Sequence, residues 1–394
     1  MSYPPLTAIT YQRQWWSGGN EIMRIKRTVF WLCVCLTFSG CGKKEEKIEE
    51  TEVDSSWKYL GWTFTEEGLL YHNPNPPRRG KLEYLDYRTG SYRPLCASAS
   101  CLHDSAECTA VRLYDAGAMG RIGDKWYYLM REENGIPHFY SCDLDGRNEK
   151  KIGRYSHTGS QMFLFFEDSC VMAFSDPVMD EETGQLKEDV SNSAICQYHF
   201  DTGEEEFLTQ ESESSYYDLY GRYEKLLLYR EYRDGRGILK VLDLDTGEVQ
   251  EPLGDRNVAR AASMRDGLFA CNVREGDAAK IIELDLASGD WKEIQTEAGG
   301  GASLFWSEGL KLMTFWEERT GGAYYRVYQY LDDGKSLLVR EGEESTYFEV
   351  LDRKDGLLVG RYGGSTRMEE QFHMATMEEK NFLAGKNNWT VLEY

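Results

Sequence analysis

The chain has 394 residues and is strongly acidic, with 45 lysines and arginines against 67 aspartates and glutamates, a formal net charge of −22. Proteins that bind nucleic acid need basic patches to neutralise phosphates, so this charge balance disfavours a nucleic-acid partner. Aromatic residues make up 13% of the chain, and they favour half-buried strands. Because no long helical period is visible in residues 57–394, the composition predicts an all-β protein.

The first element in chain order is an export signal in residues 23–40. Residues 23–27 are a short basic start, residues 29–38 are apolar, and small residues precede Cys41. These are the parts of a secretory signal, and so short an apolar run cannot span a bilayer as a helix. Residues 1–22 have no role in such a signal, and we expect them to reflect a start codon assigned too far upstream.

The end of this segment, Phe38-Ser39-Gly40-Cys41, resembles the lipobox of bacterial lipoproteins. The resemblance implies cleavage before Cys41, attachment of lipid to its sulfur, and a location on the outer face of the cell membrane. Phe38 departs from the family, which usually has leucine there, and an ordinary secretory signal with an incidental cysteine is the alternative. Residues 41–56 are charged and almost free of apolar side chains, which predicts a flexible tether.

A repeated pattern fills the rest of the chain: an acidic residue, a turn residue and a short apolar run. Seven acidic residues, 42 to 57 residues apart, open the copies: Glu67, Asp124, Asp168, Glu224, Asp266, Glu308 and Asp355. A second marker, an Asp-containing turn closed by glycine, follows most copies, as from Asp243 to Gly247. Such turns connect hairpin strands. Each unit therefore predicts four short strands, the content of one propeller blade.

The repeats predict a single β-propeller domain over residues 57–394. Seven copies favour seven blades, and six or eight are the alternatives because the two termini could combine into one composite blade. Residues 389–394 have the pattern of a strand that could form this closure. The repeated acidic residue is explained by the turn that it opens. The chain resembles the TolB-like and WD40-like propeller lipoproteins of Gram-positive bacteria, which implies a fold but no defined activity.

The first long insertion between repeats carries three cysteines and a histidine. Cys96, Cys101, His103 and Cys108 lie within 13 residues, and three thiolates with one imidazole match a closed structural zinc site. Asp104 or a backbone carbonyl could orient the imidazole. Exported cysteines are often disulfide-bonded, so a bridge between two of the three, or three unrelated thiols, are the alternatives. A metal would pin a loop that lacks its own core, so we expect a structural ion.

The second long insertion, residues 175–193, contains six acidic residues and few apolar ones. Its spacing does not match that of calcium-binding loops, so it predicts a solvated hairpin extension rather than a calcium site. The remaining cysteines fall in predicted strands, where buried free thiols are expected: Cys142, Cys170, Cys196 and Cys271. A bridge between Cys142 and Cys196 is the alternative there.

No catalytic constellation is recognisable. The chain lacks the G-x-S-x-G nucleophile elbow, and the other histidines are scattered without a repeat: His72, His138, His157, His199 and His373. Aromatic residues could form a sugar-binding surface, although core packing between blades uses the same residue types. The candidates are Trp62, Trp126, Trp306 and Trp316 and the pairs Tyr127-Tyr128, Tyr216-Tyr217 and Tyr324-Tyr325. The sequence favours a monomeric, membrane-anchored module that binds a protein, peptide or glycan. The alternative is a carbohydrate-active hydrolase or lyase with its site in the propeller channel.

Overall fold

The computed structural model describes residues 62–392, with gaps at 65–67, 73–79, 181–184, 299–300, 320–321, 345–347 and 363–372 and at positions 97, 99, 106, 117, 133, 167, 266 and 308. The expected upstream extension, export signal, Cys41 and tether lie outside these residues. Within the described ranges, no helix is long and apolar enough to cross a membrane.

The described chain forms seven four-stranded antiparallel sheets arranged as a seven-bladed β-propeller. This confirms the all-β fold class and the blade number that the repeats predict. Each blade is built from four strands that are consecutive in the chain. The first strands of successive blades lie next to each other from blade two to blade seven. They form the inner layer of the propeller, while the fourth strands lie at its rim.

Blades one to three contain β1 (Trp62–Phe64), β2 (Gly68–His72), β3 (Leu82–Asp86), β4 (Tyr92–Pro94); β5 (Ala118–Ile122), β6 (Lys125–Arg131), β7 (Pro137–Asp143), β8 (Lys150–Arg154); and β9 (Ser160–Phe165), β10 (Ser169–Met179), β11 (Leu186–His199), β12 (Glu205–Phe207). A short helix α1 (Thr109–Arg112) and a 3₁₀ turn (Leu113–Asp115) lie between β4 and β5.

Blades four to seven contain β13 (Ser215–Tyr223), β14 (Leu226–Arg233), β15 (Arg236–Asp243), β16 (Val249–Gln250); β17 (Asn257–Arg265), β18 (Leu268–Glu275), β19 (Ala278–Asp285), β20 (Trp291–Ala298); β21 (Gly301–Ser307), β22 (Leu310–Arg319), β23 (Gly322–Tyr330), β24 (Ser336–Glu344); and β25 (Phe348–Lys354), β26 (Leu357–Tyr362), β27 (His373–Glu378), β28 (Thr390–Val391). A second short helix, α2 (Glu379–Leu383), precedes β28.

The ring closes without an exchange of strands between the two ends of the described chain. The last strand, β28, pairs with β27 inside blade seven, and β1 pairs with β2 inside blade one. The alternative of a composite blade is therefore wrong for the described residues. The sequence allowed it because a terminal strand can add to either neighbouring sheet, and only the pairing decides between them.

Side chains close the ring instead. Leu69 and Tyr71 of blade one belong to one buried cluster with Val359 and Met374 of blade seven. Next to this cluster, the Tyr87 hydroxyl of blade one donates a hydrogen bond to the Asp352 carboxylate of blade seven. The joint between the first and last blades therefore depends on packing and on a buried polar contact.

The two repeated turns lie on the same face of the propeller. Because neighbouring strands are antiparallel, the first-to-second and third-to-fourth turns of every blade are at the same end of the strands. Glu224 and Asp355, two of the repeated acidic residues, adopt φ of 50° in their turns, a left-handed conformation that few residues other than glycine adopt. The turn geometry therefore accounts for these positions, as the sequence predicts.

The second insertion lies on the opposite face, because it joins the second and third strands of blade three. There β10 and β11 continue beyond the sheet as a long hairpin, with Ser175 paired to Ser193 and Met179 paired to Leu186. The Asp180 N–H donates to the Gln185 carbonyl at 2.7 Å and closes the tip. The predicted hairpin extension is thus confirmed.

The four cysteines in strands are buried and unpaired, as expected. Cys142 and Cys196 lie in two different hydrophobic clusters, so the alternative bridge between them is not formed. Burial raises the pKa of the Cys142 thiol to about 11 and that of the Cys271 thiol to about 12. These thiols are therefore neutral at ordinary pH and act as small apolar groups.

Candidate metal centre

The segment that carries the predicted ligands, residues 95–108, is here named the Cys/His loop. It leaves β4, the last strand of blade one, and ends at α1, before the first strand of blade two. Two turns fold it back on itself: the Cys101 N–H donates to the Ser98 carbonyl at 3.2 Å, and the Cys108 N–H donates to the Ser105 carbonyl at 3.0 Å. His103 lies between them with φ of 55°. These reversals bring the four side chains together.

The four predicted ligands converge on one point. One donor atom from each of Cys96, Cys101, His103 and Cys108 lies within 4.8 Å of the other three. Zinc–sulfur bonds of about 2.3 Å in a tetrahedral site separate two sulfurs by roughly 3.8 Å, so small side-chain adjustments suffice. In the described part of the chain no other group of histidine, cysteine or acidic residues has this arrangement. The cluster could therefore bind a metal ion.

The donor chemistry restricts which ions fit. Thiolate sulfur and imidazole nitrogen suit zinc and other borderline or soft metals, whereas calcium, magnesium and manganese prefer oxygen ligands. The three cysteines of the loop are unpaired, so the alternative disulfide is not formed in this structure. Three sulfurs and one nitrogen complete a tetrahedral set and leave no position for water or substrate.

Hydrogen bonding and burial shift the pKa values of two thiols of the loop in opposite directions. The His103 N–H donates to the Cys101 sulfur at 3.4 Å and lowers the pKa of Cys101. Cys108 is buried, and burial raises its pKa to about 11, although its sulfur lies 3.4 Å from Nδ1 of His103. An ion must therefore displace the Cys108 proton, and metal binding releases protons and strengthens as pH rises.

The loop leads directly into the short helix α1, which is anchored in the joint between blades one and two. The Cys108 carbonyl accepts the Val111 and Arg112 N–H groups at 3.1 and 2.9 Å and begins the helix. Leu113, which follows the helix, is fully buried in a cluster with Leu70 of blade one and with residues of blade two. The insertion thus has two consecutive parts: the Cys/His loop, and the segment after it, which contributes Leu113 to the hydrophobic core.

Two contacts fix α1 and the 3₁₀ turn that follows it against the blades on either side. A Cβ placed on Gly146, in the third-to-fourth turn of blade two, would lie 2.0 Å from the Thr109 side chain, so only glycine fits there. On the blade-one side, Nδ1 of His72 lies 3.2 Å from the Tyr114 carbonyl. Burial lowers the pKa of His72 to about 4, so this imidazole is neutral and donates to the carbonyl.

The other histidines do not form a site with His72. They lie on separate elements: His138 in β7, His157 in the connection between β8 and β9, His199 in β11 and His373 in β27. The scatter seen in the sequence is therefore also present in space. None of these four comes together with other potential ligands into a metal-binding group within the described ranges.

His157 forms a polar contact that the sequence did not indicate. Its Nδ1 lies 2.8 Å from Asp176 and its Nε2 lies 3.7 Å from Glu205, while its ring stacks on Phe174 with centroids 3.6 Å apart. Burial raises the pKa of Asp176, but hydrogen bonds from His157 and from the Gly159 and Thr158 N–H groups outweigh this effect and lower it. His157, Asp176 and Glu205 are up to 48 positions apart, and no spacing motif connects them.

The expected aromatic sugar surface is not assembled from the tryptophans whose side chains are described. Trp126 is buried, and its Nε1–H donates to the Leu144 carbonyl at 3.1 Å. Trp316 packs against the core cluster of blades six and seven. The side chains of Trp62 and Trp306 lie outside the described part of the structure. Aromatic residues in strands serve core packing as readily as binding, which explains why composition alone suggested this surface.

Comparison with family models gave no match, and a search of curated proteins found no relative. Solved structures with a similar fold include a prolyl endopeptidase, 12% identical with a TM-score of 0.55; the match covers 84% of this chain and 48% of that one. An oligogalacturonate lyase in complex with manganese is 10% identical with a TM-score of 0.49; the match covers 79% of this chain and 85% of that one. A TolB protein of Agrobacterium tumefaciens is 16% identical with a TM-score of 0.37; the match covers 58% of this chain and 82% of that one. At 12% identity, the likeness to the prolyl endopeptidase supports the fold alone.

Proposed function

We propose that this protein is a lipoprotein anchored through Cys41 to the outer face of the cell membrane, and that its propeller binds a protein, peptide or glycan. In this proposal a zinc ion held by Cys96, Cys101, His103 and Cys108 stabilises the joint between blades one and two. The observation that carries the zinc part of the proposal is the closed set of three sulfurs and one nitrogen, all within 4.8 Å, whereas the anchor rests on the sequence that ends at Cys41. Because such a set leaves no open coordination position, its role is structural.

The position of the loop supports this role. Its last ligand, Cys108, is also the residue from which α1 begins, and α1 leads into Leu113 in the joint between the two blades. When bound, the ion would supply four bonds that connect the end of β4 to the start of α1. The four ligand residues align α1, and the buried apolar contacts of Leu113 hold it between the blades.

The zinc site is tested by elemental analysis of the purified full-length chain. We expect about one zinc per chain, and loss of that zinc in Cys108→Ser. The matched control is Cys271→Ser, which changes a buried cysteine of blade five and should retain the metal. A zinc-free unmutated protein purified without chelators would end this part of the proposal.

The anchor is tested by growing cells with a clickable fatty acid and separating membranes from soluble material. We expect labelled, membrane-bound protein that becomes unlabelled and unprocessed in Cys41→Ser, while Cys35→Ser in the same segment stays labelled. Labelling that persists in Cys41→Ser would contradict the assignment of the anchor.

The binding role is tested on the purified domain with arrays of glycans and peptides and with polysaccharide substrates. Retention of a ligand without formation of products is the expected result. Release of shortened or unsaturated sugars would instead support the alternative, a carbohydrate-active hydrolase or lyase acting in the propeller channel.

A further inference from the structure

We propose that the Cys/His loop is also a thiol switch, in which an external disulfide oxidises Cys96 and Cys101 to a disulfide and thereby weakens metal binding. The inference rests on the proposed function, because an exported protein meets disulfide oxidants that a cytosolic protein does not. It makes the metal joint responsive to the redox state outside the membrane.

The positions of the cysteines make this chemistry selective. The sulfurs of the loop lie within 4.8 Å of one another and are unpaired, so side-chain rotation and a small loop shift can bring two of them to the bond length of about 2.05 Å. In the strands of the propeller, by contrast, all cysteines are fully buried: Cys142, Cys170, Cys196 and Cys271. An external oxidant therefore reaches the loop before it reaches any cysteine of the core.

Within the loop, solvent access favours Cys101 as the first thiol to react. Cys101 is partly exposed, and Leu102 beside it is 80% exposed, so this side of the loop is open. Cys96 is also partly exposed, whereas Cys108 is buried at the start of α1 and its sulfur lies 3.4 Å from the His103 ring. Cys96 is therefore the partner that can move to Cys101.

The reaction is a pair of thiol–disulfide exchanges. The Cys101 thiolate attacks one sulfur of the external disulfide, forms a mixed disulfide and releases one thiolate. The Cys96 thiolate then attacks the Cys101 sulfur and releases the second thiolate. The two protein thiolates together lose two electrons, and the external disulfide gains them. Cys108 and His103 remain as two of the four donors, which are too few to hold the ion tightly.

The experiment uses the full-length chain with Cys33, Cys35 and Cys41 changed to serine, so that the N-terminal thiols do not contribute. The zinc-loaded protein is titrated with oxidised glutathione while a chromophoric chelator measures released zinc and peptide mass spectrometry locates the disulfide. We expect about one zinc released for each Cys96–Cys101 disulfide formed, and rebinding of zinc after reduction with dithiothreitol.

Two further variants separate the switch from the metal site. Cys101→Ser should form no disulfide in the loop, whereas Cys108→Ser should lack zinc and still form the Cys96–Cys101 bond. A zinc-loaded protein that forms no loop disulfide, or forms one that includes Cys108, would overturn the switch and leave the zinc site standing. Zinc-free wild-type protein would overturn the zinc role and the metal-releasing switch together, whether or not the Cys96–Cys101 bond forms.

Discussion

The joint between blades one and two and the joint between blades two and three are filled in different ways. Between blades two and three, large aromatic side chains pack without exposure, and the rings of Phe139 and Tyr198 have centroids 4.6 Å apart. Blade one has strands of only three to five residues, and the buried cluster at its joint with blade two, which includes Leu70 and Trp126, is completed by Leu113 from the insertion. The smaller blade thus adds an insertion with a thiol cluster to its core, whereas the larger one uses a core alone.

This difference indicates what the Cys/His loop contributes. Burial of an aromatic side chain stabilises a joint at any redox state or metal concentration. A joint that depends on thiolates and a bound ion is stable only while both are present. With the proposed zinc ion bound, the same fold would contain one unconditional joint, between blades two and three, and one conditional joint, between blades one and two.

The largest expected effect comes from removing an aromatic ring of the unconditional joint. We expect Phe139→Ala to lower the free energy of unfolding by about 3 to 5 kcal/mol because a fully buried ring leaves a cavity. Urea unfolding measured with zinc and with a chelator should give the same loss in both conditions. Phe207→Ala, at a site 48% exposed, is the control with a small effect. A loss that depends on zinc would abolish the distinction between the two joints.

The conditional joint should also depend on pH through His72. Its pKa is lowered by burial from 6.5 to about 4, so between these values the unfolded chain binds a proton that the folded chain does not. Stability is therefore complete above about pH 6.5 and falls as the pH decreases toward 4, by on the order of 3 kcal/mol. The free energy of unfolding of His72→Gln should change less steeply with pH across this range than that of the wild type; His373→Gln, at an exposed position, is the control for the substitution itself. Equal slopes for His72→Gln and the wild type would refute this role.

The contact between α1 and blade two is tested at two glycines in equivalent turns. Gly146 and Gly247 both have positive φ, 80° and 72°, so alanine costs about 1 kcal/mol at either position. Only at Gly146 does the new Cβ also meet Thr109, at 2.0 Å. We expect Gly146→Ala to lose about 1 kcal/mol more than Gly247→Ala in thermal unfolding and to bind zinc more weakly. Identical losses and affinities would show that α1 is not seated on this turn.

The smallest expected effect concerns a third joint, the closure between blades seven and one. Tyr87→Phe removes the hydrogen bond to Asp352, a carboxyl whose pKa burial raises, and should lower stability by about 1 kcal/mol. Tyr324→Phe removes a similar bond to Glu341 at an exposed site and should have almost no effect. Denaturant midpoints of the two variants provide the measurement, and a larger shift for Tyr324→Phe would contradict the importance of the closure.

The fold could be predicted because its determinants are local and repeated. Acidic turn residues such as Glu224 and closing glycines such as Gly247 mark hairpins wherever they occur, and counting them gives the blades. The metal-site candidates were found for the same reason, since Cys96 and Cys108 are only 12 positions apart. The blade number and the metal-site candidates could therefore both be predicted from the spacing of residues that are close in sequence.

The parts that could not be predicted depend on how blades pack against each other. His72 meets Tyr114 across 42 positions and His157 meets Glu205 across 48, and no motif records either pair. The sequence also left open whether Trp126 belongs to a core or to a binding surface, because a strand tryptophan has the same sequence signature in both. Which residues of the two ends close the ring was likewise open, since the register of a terminal strand depends on non-local pairing.

In the described part of the chain the two ends share no blade, and this has a consequence for the order in which the protein folds. Six joints connect units that follow each other along the chain, so each can assemble as soon as the next blade has been made. The seventh joint has to wait for the whole propeller. Until blade seven arrives, Leu69 and Tyr71 present an apolar edge to solvent, which is a surface that chaperones or neighbouring chains can bind. The late arrival of residues near Val359 and Met374 therefore determines how long the newly made chain is vulnerable to aggregation.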